Sequence, residues 1–458
     1  MSEPRQFLAR AAVKARDDQH FYQLGKAIAS YDGMVSQTKS RQFQNWTQAR
    51  ALAATIKDHV LARLPELLEQ FEQNLLAAGG KVFWAETAED ARSYVLALAQ
   101  KHQAKRVVKS KSMVTEEIGL NEHLEKHGVE VWESDLGELI VQLNQEKPYH
   151  IVTPAMHKSK AEISRLFHDK LQAPLTDSAE ELTMVARRHL RDVYLSSTIG
   201  VTGANFLVAD LGAVVVTENE GNARLTMACP PVHVVIAGLE KMLPRLSDLS
   251  LFLPLLATSG TGQEITSYNS IMLGPRHAHE SDGPAEMHVI LLDNGRSALY
   301  QQAEFREILR CIRCGACLNA CPVYRAIGGH AYNTTYQGPI GAVITPHYSG
   351  FGKYQHLAYA SSLCGACSDV CPVQIDIHHL LLKNRRAAVR RREQPWFWRA
   401  ALRVYAWVMA DAARLQRARR WLLRLWPWQR LLRRPNEQLP PLSPKSFREL
   451  WSAHENQP

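Results

Sequence analysis

Seven of the chain's eight cysteines stand at positions 311, 314, 317, 321, 364, 367 and 371, and the eighth is Cys229. The first four read Cys311-x2-Cys314-x2-Cys317-x3-Cys321-Pro322. That spacing belongs to bacterial [4Fe–4S] sites: two-residue spacers turn three thiolates onto one cube, and the fourth points away to a different cluster. The proline ends the local turn and directs the chain onward. At an offset of 50 residues, Cys314, Cys317 and Cys321-Pro322 recur as Cys364, Cys367 and Cys371-Pro372, with Cys-Gly-Ala-Cys in both copies. The second copy has lost its first thiol, because Ser361 stands where the counterpart of Cys311 would be.

In two-cluster proteins the fourth cysteine of each motif serves the other cluster. Carried over here, Cys311, Cys314, Cys317 and Cys371 form a complete set, and Cys321, Cys364 and Cys367 form a set of three. Two [4Fe–4S] clusters are expected. The fourth iron of the second could take Ser361, a water or a substrate, or be missing, which leaves [3Fe–4S]. Structural zinc is the competing reading, and the uninterrupted four-cysteine spacing disfavours it. Cys229, just before Pro230-Pro231, is expected to be a buried structural cysteine. The 42 residues between the motifs carry His330, Tyr332, Asn333 and Tyr336, expected in a loop packed over the clusters or in a partner-docking surface.

These cysteines need a frame, and the chain divides into four pieces. Residues 1–65 read as an N-terminal helical arm without visible chemistry. Residues 66–300 alternate helical and strand-like patterns, with strands expected at 81–84, 106–109, 130–133, 150–153 and 286–292 and apolar runs at 204–209, 213–217 and 232–237. Helices are expected at 67–78, 88–103 and 115–127. Such alternation predicts an α/β domain with a mostly parallel sheet. Residues 301–384 form a helical, ferredoxin-like two-cluster module, and 385–458 a basic, tryptophan-rich helical tail.

At 458 residues the chain exceeds one ordinary core. No run reaches 18 apolar residues and the N-terminus lacks the apolar core of a secretory signal, so a cytoplasmic protein is expected. Clustered cysteines in such a chain point to metal rather than to disulfides. The net charge is +9, yet residues 383–434 alone hold 16 Lys or Arg against Glu393 and Asp411, leaving −5 for the rest. Basic runs at 385–392, 414–424 and 430–434 interleave with Trp396, Trp398, Trp407, Trp421, Trp426 and Trp428, and a Pro-rich run follows at 439–444. This composition suits docking to an acidic partner, or peripheral contact of 385–434 with the inner face of a membrane. No motif supports nucleic acid as a partner.

Within the α/β domain, Thr202-Gly203-Ala204-Asn205, Asp210-Leu211-Gly212 and Glu218-Asn219-Glu220-Gly221-Asn222 crowd glycines and carboxylates at expected strand ends. They shape turns, or they line a substrate or anion site. Lys109-Ser110-Lys111-Ser112 with Thr115 and Glu116 is a second candidate anion site at a helix start, where Ser and Thr are also ordinary caps. His277 and His279 read as exposed loop residues. No G-x-G-x-x-G opens a helix after a strand, so no nicotinamide or flavin fingerprint is present.

The run CIRCGACLNACPVYRAIGGHAYNTTYQGPIGAV, the later SSLCGACSDVCPV and the upstream VTGANFLVADLGAVVVTENEGNARL together resemble the lactate-utilisation protein B family over nearly the whole chain. The three-cysteine second motif matches that family. The resemblance implies an electron-transfer subunit in the oxidation of L-lactate to pyruvate. It also implies two partner proteins, one cysteine-rich and one sharing the α/β domain. The α/β domain is similar to the sugar-phosphate isomerase and CoA-transferase superfamily, in which a glutamate nucleophile near a Glu-Asn-Gly turn would correspond to Glu218 or Glu220. The alternative is a catalytic subunit that binds the hydroxy acid in its α/β domain and uses the clusters as electron exit.

Overall fold

The computed structural model describes residues 2–391, 396–425, 443 and 445–455. Three helices open the chain: α1 (Glu3–Lys14), α2 (Asp18–Gln42) and α3 (Trp46–Ala62). Side-chain caps start the last two, Asp17 accepting from the His20 N–H and Asn45 from the Gln48 N–H.

Among the described residues ten strands follow: β1 (Lys81–Ala85), β2 (Arg106–Lys109), β3 (Glu130–Glu133), β4 (Ile199–Thr202), β5 (Phe206–Val208), β6 (Ala213–Glu218), β7 (Val232–Gly238), β8 (Met242–Leu243), β9 (Tyr268–Met272) and β10 (Glu286–Leu292). Six of them pair in the order β1-β10-β7-β4-β2-β3, every pair parallel. Parallel strands covered on both faces read as continuous apolar runs, and β7 (VHVVIAG) is buried throughout. The period of two decides which core each side chain joins. Val232, Val234, Ile236, Ile290 and Leu292 pack with Val95, Leu98 and Leu124 on one face, whereas Val235, Ala237, Met287, Val289 and Leu291 meet Phe71 and Leu75 on the other. The α/β domain with a parallel sheet is therefore present, followed by a helical region that carries the cysteines.

Four details differ from the sequence reading. A second sheet, β8-β5-β6-β9, pairs antiparallel at β5–β6 and β6–β9. Residues 150–153 are not a strand: they form a bend in which His150 is buried and its Nδ1 accepts from the Val152 N–H. The helix expected at 115–127 is two helices, Met113–Glu117 and Leu120–Lys126, because Gly119 takes a left-handed conformation (φ 62°) between them. The segment between the two cysteine motifs is mostly helical, with Pro322–Tyr332 and Gly338–Ser349 packed into the core rather than looping over it.

By compactness Met1–Ala388 form one unit and Val389–Pro458 another. In the second, the helices Trp396–Met409 and Ala412–Leu425 pack together, with the Arg414 guanidinium 4.5 Å from the Trp407 ring centroid. Trp396, Trp398, Trp407 and Trp421 are exposed, while Trp426, Trp428 and the runs at 430–434 and 439–444 lie outside the described residues, Ser443 excepted. Among the described residues no helix is long and apolar enough to cross a membrane.

Candidate functional site

The cysteine repeat is also a repeat of backbone conformation. Arg313 (φ 62°) and Gly315 (φ 81°) flank Cys314 in left-handed conformations, and Leu363 (φ 56°) and Gly365 (φ 86°) do the same around Cys364. A non-glycine residue held left-handed is uncommon and needs its surroundings to hold it there. The same departure in both copies winds each loop around an interior point. Short helices then follow, Ala316–Ala320 in the first copy and Ala366–Asp369 in the second.

The structure gathers the seven thiols into two sets. Cys311, Cys314, Cys317 and Cys371 line one small cavity walled by Ile312, Ile340, Val373 and Ile375. Cys371 comes from the second repeat and meets three residues of the first. Burial pushes its thiol up to about 11, and Cys311 beside it adds to the shift. Burial likewise raises Cys314 and Cys317, each further raised by the other thiols of the set. In the other set Cys321 and Cys367 are buried and Cys364 is exposed. Burial and then Cys321 push Cys367 up to about 11, and Cys321 in turn is raised by burial and by Cys364. The Cys364 thiol is lowered, first by the Ala366 N–H and then by Ser362. Buried thiols crowded on one point cannot all ionise unless a metal compensates them, so the donor set fits a thiolate-held metal cluster. Ser361 lies three residues before Cys364 in sequence, and its Oγ accepts from the Leu363 N–H (3.1 Å). Cys229 is exposed rather than buried, at the end of the helix Asn222–Ala228, and lines neither cavity.

The N-terminal arm has a role that its sequence does not announce. Arg50 of α3 donates from Nε to the Cys371 carbonyl (2.7 Å) and from Nη2 to the Ser368 carbonyl (3.2 Å), tying down the second cysteine loop. The inter-motif helices are held to the α/β domain by Tyr324 Oη to the Tyr149 carbonyl (2.8 Å) and Gln337 Nε2 to the Pro148 carbonyl (2.7 Å). His330 Nε2 donates to the Lys147 carbonyl (2.8 Å), and Tyr332 and Tyr336 are buried. His330 and Tyr336 thus belong to the seam between domain and cysteine module, whereas Tyr332 packs on Phe7 of α1 and on Tyr324; Asn333 ends its helix in a left-handed conformation and lines a polar cleft.

At the carboxyl edge of the parallel sheet lies a cavity of about 710 Å3, and Arg313 and Cys314 form part of its wall. The loops after β2, β3, β4 and β7 open onto it, the edge at which open α/β sheets bind ligands. It gathers Lys111, Ser112, Gly203, Asn205, Glu218 and Glu220 from the segments picked out by sequence. The Lys109–Ser112 candidate is split. Lys109 turns into the core, where its Nζ pairs with Glu133 (2.7 Å) and Glu116 (3.4 Å), and only Ser110, Lys111 and Ser112 reach the cavity. Ser112 caps the helix Met113–Glu117. Glu218 accepts from the Ala223 and Arg224 N–H groups and Glu220 from the Leu136 N–H, so both carboxylates brace turns. Burial raises both. His277 and His279 are exposed and stack on each other, 5.7 Å between centroids.

Several residues central to this region carry no sequence signal. Arg296 is buried with Nη1 and Nη2 forked onto Glu117 (2.9 and 2.8 Å) and Nε on Glu240 (2.6 Å). Burial opposes the Glu240 charge, but Arg296 and Arg313 outweigh it and hold the carboxyl down at about 2. Lys241, beside Arg313, is pushed down to about 8 by burial and then by Arg313. Arg313 occupies a spacer position of the first motif, where the cysteine pattern leaves the residue type free; Glu117, the Glu240-Lys241 pair and Arg296 are separated by dozens of residues along the chain.

Two family models match this chain: a LUD domain over residues 68–292 and a 4Fe-4S dicluster domain over residues 307–375. The chain is 47% identical over 353 residues to Lactate utilization protein B of Bacillus pumilus, covering 77% of this chain and 74% of that one. It is 44% identical over 372 residues to Lactate utilization protein B of Oceanobacillus iheyensis, covering 81% and 78%. It is also 44% identical over 369 residues to the uncharacterized electron transport protein YkgF of Escherichia coli, covering 80% and 78%. A solved structure of a DUF162 family protein from Deinococcus radiodurans covers 50% of this chain and 98% of its own at 13% identity, with a TM-score of 0.27, too low to carry an argument.

Proposed function

Because the chain belongs to the lactate utilization protein B family, we propose that it is the iron–sulfur electron-transfer subunit of a system that oxidises L-lactate to pyruvate. One cluster would be held by Cys311, Cys314, Cys317 and Cys371, and a second by Cys321, Cys364 and Cys367 with a non-cysteine fourth ligand at the Ser361 corner. Bound there, such clusters supply one-electron transfer at potentials set by hydrogen bonds, charge and burial. The observation that carries this reading is the arrival of Cys371, from the second repeat, in the cavity of Cys311, Cys314 and Cys317. A zinc site would need no such exchange between repeats.

The protein's own residues contribute position and insulation. Backbone N–H groups of Tyr324 and Ile375 donate to the sulfurs of Cys321 (3.4 Å) and Cys371 (3.3 Å), which favours the thiolate form. Ile312, Ile340 and Val373 give the first set apolar surroundings, whereas exposed Cys364 leaves the second open to solvent and to a partner. The two sets thus form an inner and an outer station, with the outer one facing the downstream acceptor. The partners of this reading are a cysteine-rich protein and a second protein bearing the same α/β domain.

The test is iron, sulfide and zinc analysis of anaerobically purified protein, with electron paramagnetic resonance before and after dithionite. About eight irons per chain, silent until reduced, is the expected result for two [4Fe–4S] clusters. About seven irons with a signal already in the oxidised protein would place [3Fe–4S] in the second set. Cys367→Ala should lose about half of the iron and Cys229→Ser none; zinc in place of iron overturns the reading.

A further inference from the structure

The cavity at the sheet's carboxyl edge is mostly apolar, with Met34, Met113, Met156 and Leu256 among its walls, yet one corner of it is cationic. Lys241 is 7% exposed and makes no hydrogen bond or ion pair among the described residues. Arg313 has a side chain 7% exposed; its Nη2 reaches Glu240 (3.2 Å), and its Nη1 is buried without a partner. The Arg313 guanidinium lies 4.4 Å from the Tyr336 ring centroid. Tyr336 and Lys241 line the large cavity and not the cysteine cavity, whereas Arg313 lines both.

The acidic groups nearby are already engaged. Asp135 is shared by Lys111 (3.5 Å) and Asn222 (3.3 Å), Glu240 by Arg296 and Arg313, and Glu218 and Glu220 by backbone N–H groups. Arg313 Nη1 remains a buried donor without a partner, a costly arrangement unless an anion completes it, and Lys241 lies beside it. Asn205 lines the same cavity with its Oδ1 accepting from the Thr217 N–H (2.9 Å), which leaves its Nδ2 for a ligand. A cationic corner, one neutral donor and apolar walls suit an organic carboxylate better than inorganic phosphate.

We propose that this cavity binds a 2-hydroxy or 2-oxo monocarboxylate, its carboxylate received by Arg313 and Lys241 and its second oxygen by Asn205, beside Cys314. The inference rests on the lactate reading for the choice of acid and on the unpartnered Arg313 Nη1 beside Lys241 for the site. The volume of about 710 Å3 is several times that of a three-carbon acid, so longer 2-hydroxy acids are also accommodated.

The experiment is calorimetric titration of the anaerobically purified full chain with L-lactate and with pyruvate, phosphate serving as comparator. Saturable binding of either acid, without binding of phosphate, is expected. Lys241→Met should weaken it about 10-fold or more, while Lys241→Arg retains it. Asn205→Asp keeps the shape and places a carboxylate beside the cations, so it should abolish binding even where the Lys241→Met protein fails to fold. No saturable binding of either acid, or affinity unchanged in Asn205→Asp or in a folded Lys241→Met, overturns the proposal. Iron is measured on the same samples, so the two readings fail separately. Full iron without acid binding removes this site alone, and zinc for iron removes the electron carrier while the isotherm still decides the site.

Discussion

At the scale of single residues, the junction between sheet and cysteine module depends on one side chain. Arg296, 1% exposed, neutralises Glu117 from the segment after β2 and Glu240 from the segment after β7. Tyr336 of the inter-motif region donates its hydroxyl to the same Glu117 (2.5 Å), and the Arg296 guanidinium lies 4.7 Å from the Tyr348 ring centroid. Removing one partner of a buried ion pair costs about 3–5 kcal/mol because the other charges stay behind unpaired. Arg296→Met conserves the stem and abandons two carboxylates. The expected outcome is a thermal midpoint lower by roughly 5 °C or more, read by circular dichroism on protein with full iron. A shift below about 1 °C would mean that water reaches the carboxylates and that the junction is held by packing alone. No spacing or motif marks Arg296, Glu117 or Glu240, because their partnership exists only once strands far apart in sequence lie side by side. The cysteine loops were legible for the opposite reason: each is local, and its spacing is its geometry.

At the scale of elements, period and punctuation foretold regular structure where the pattern is local. The strands at 106–109, 130–133 and 286–292 fall where apolar runs end at polar residues. Residues 150–153 have the same look, yet their backbone wraps His150 instead of pairing, since His150 Nε2 bonds Asn319 (3.1 Å) behind the cysteine loop. The basic tail is a different kind of element. Its helix Trp396–Met409 has no buried residue within its own unit, and exposed Trp396, Trp398 and Trp407 flank Arg399 and Arg403 along it. An amphipathic surface of this composition needs a counterpart, and an acidic partner protein is the one that electron transfer favours. Ending the chain after Arg391 should therefore leave iron content unchanged and weaken co-elution with the partner subunits. Raising salt from about 0.1 M to 0.5 M should mimic the truncation for the full chain, because surface charge is screened over that range. Partner binding unaffected by the truncation, with binding to anionic vesicles lost, would assign the tail to a lipid surface instead.

At the scale of the whole molecule, the cysteine module is embedded rather than appended: α3 clamps its second loop, the inter-motif helices fill the seam, and the first loop walls the sheet's cavity. The order of the pieces could be read along the chain, but their interpenetration could not, since contacts such as Arg50 to Cys371 span 321 residues. Such a molecule should register acid as a unit through histidines buried in its neutral form. Burial holds His157 at about 4 despite its contact with Glu146 (2.8 Å), and burial together with His288 holds His233, of the fully enclosed β7, at about 3. In the unfolded chain both would titrate near 6.5. Depressed folded values mean that the unfolded state binds protons first, so stability is complete above about 6.5 and is lost progressively as the pH falls from there towards 4. The full chain should therefore show a thermal midpoint several degrees lower at pH 5 than at pH 7, after a screen for intact iron at both. His157→Asn should lose less over the same interval, since it removes one of the protons that drive the effect. An equal loss in wild type and variant would place the acid sensitivity elsewhere, in the buried carboxylates around Lys109 or in the cysteine sites themselves.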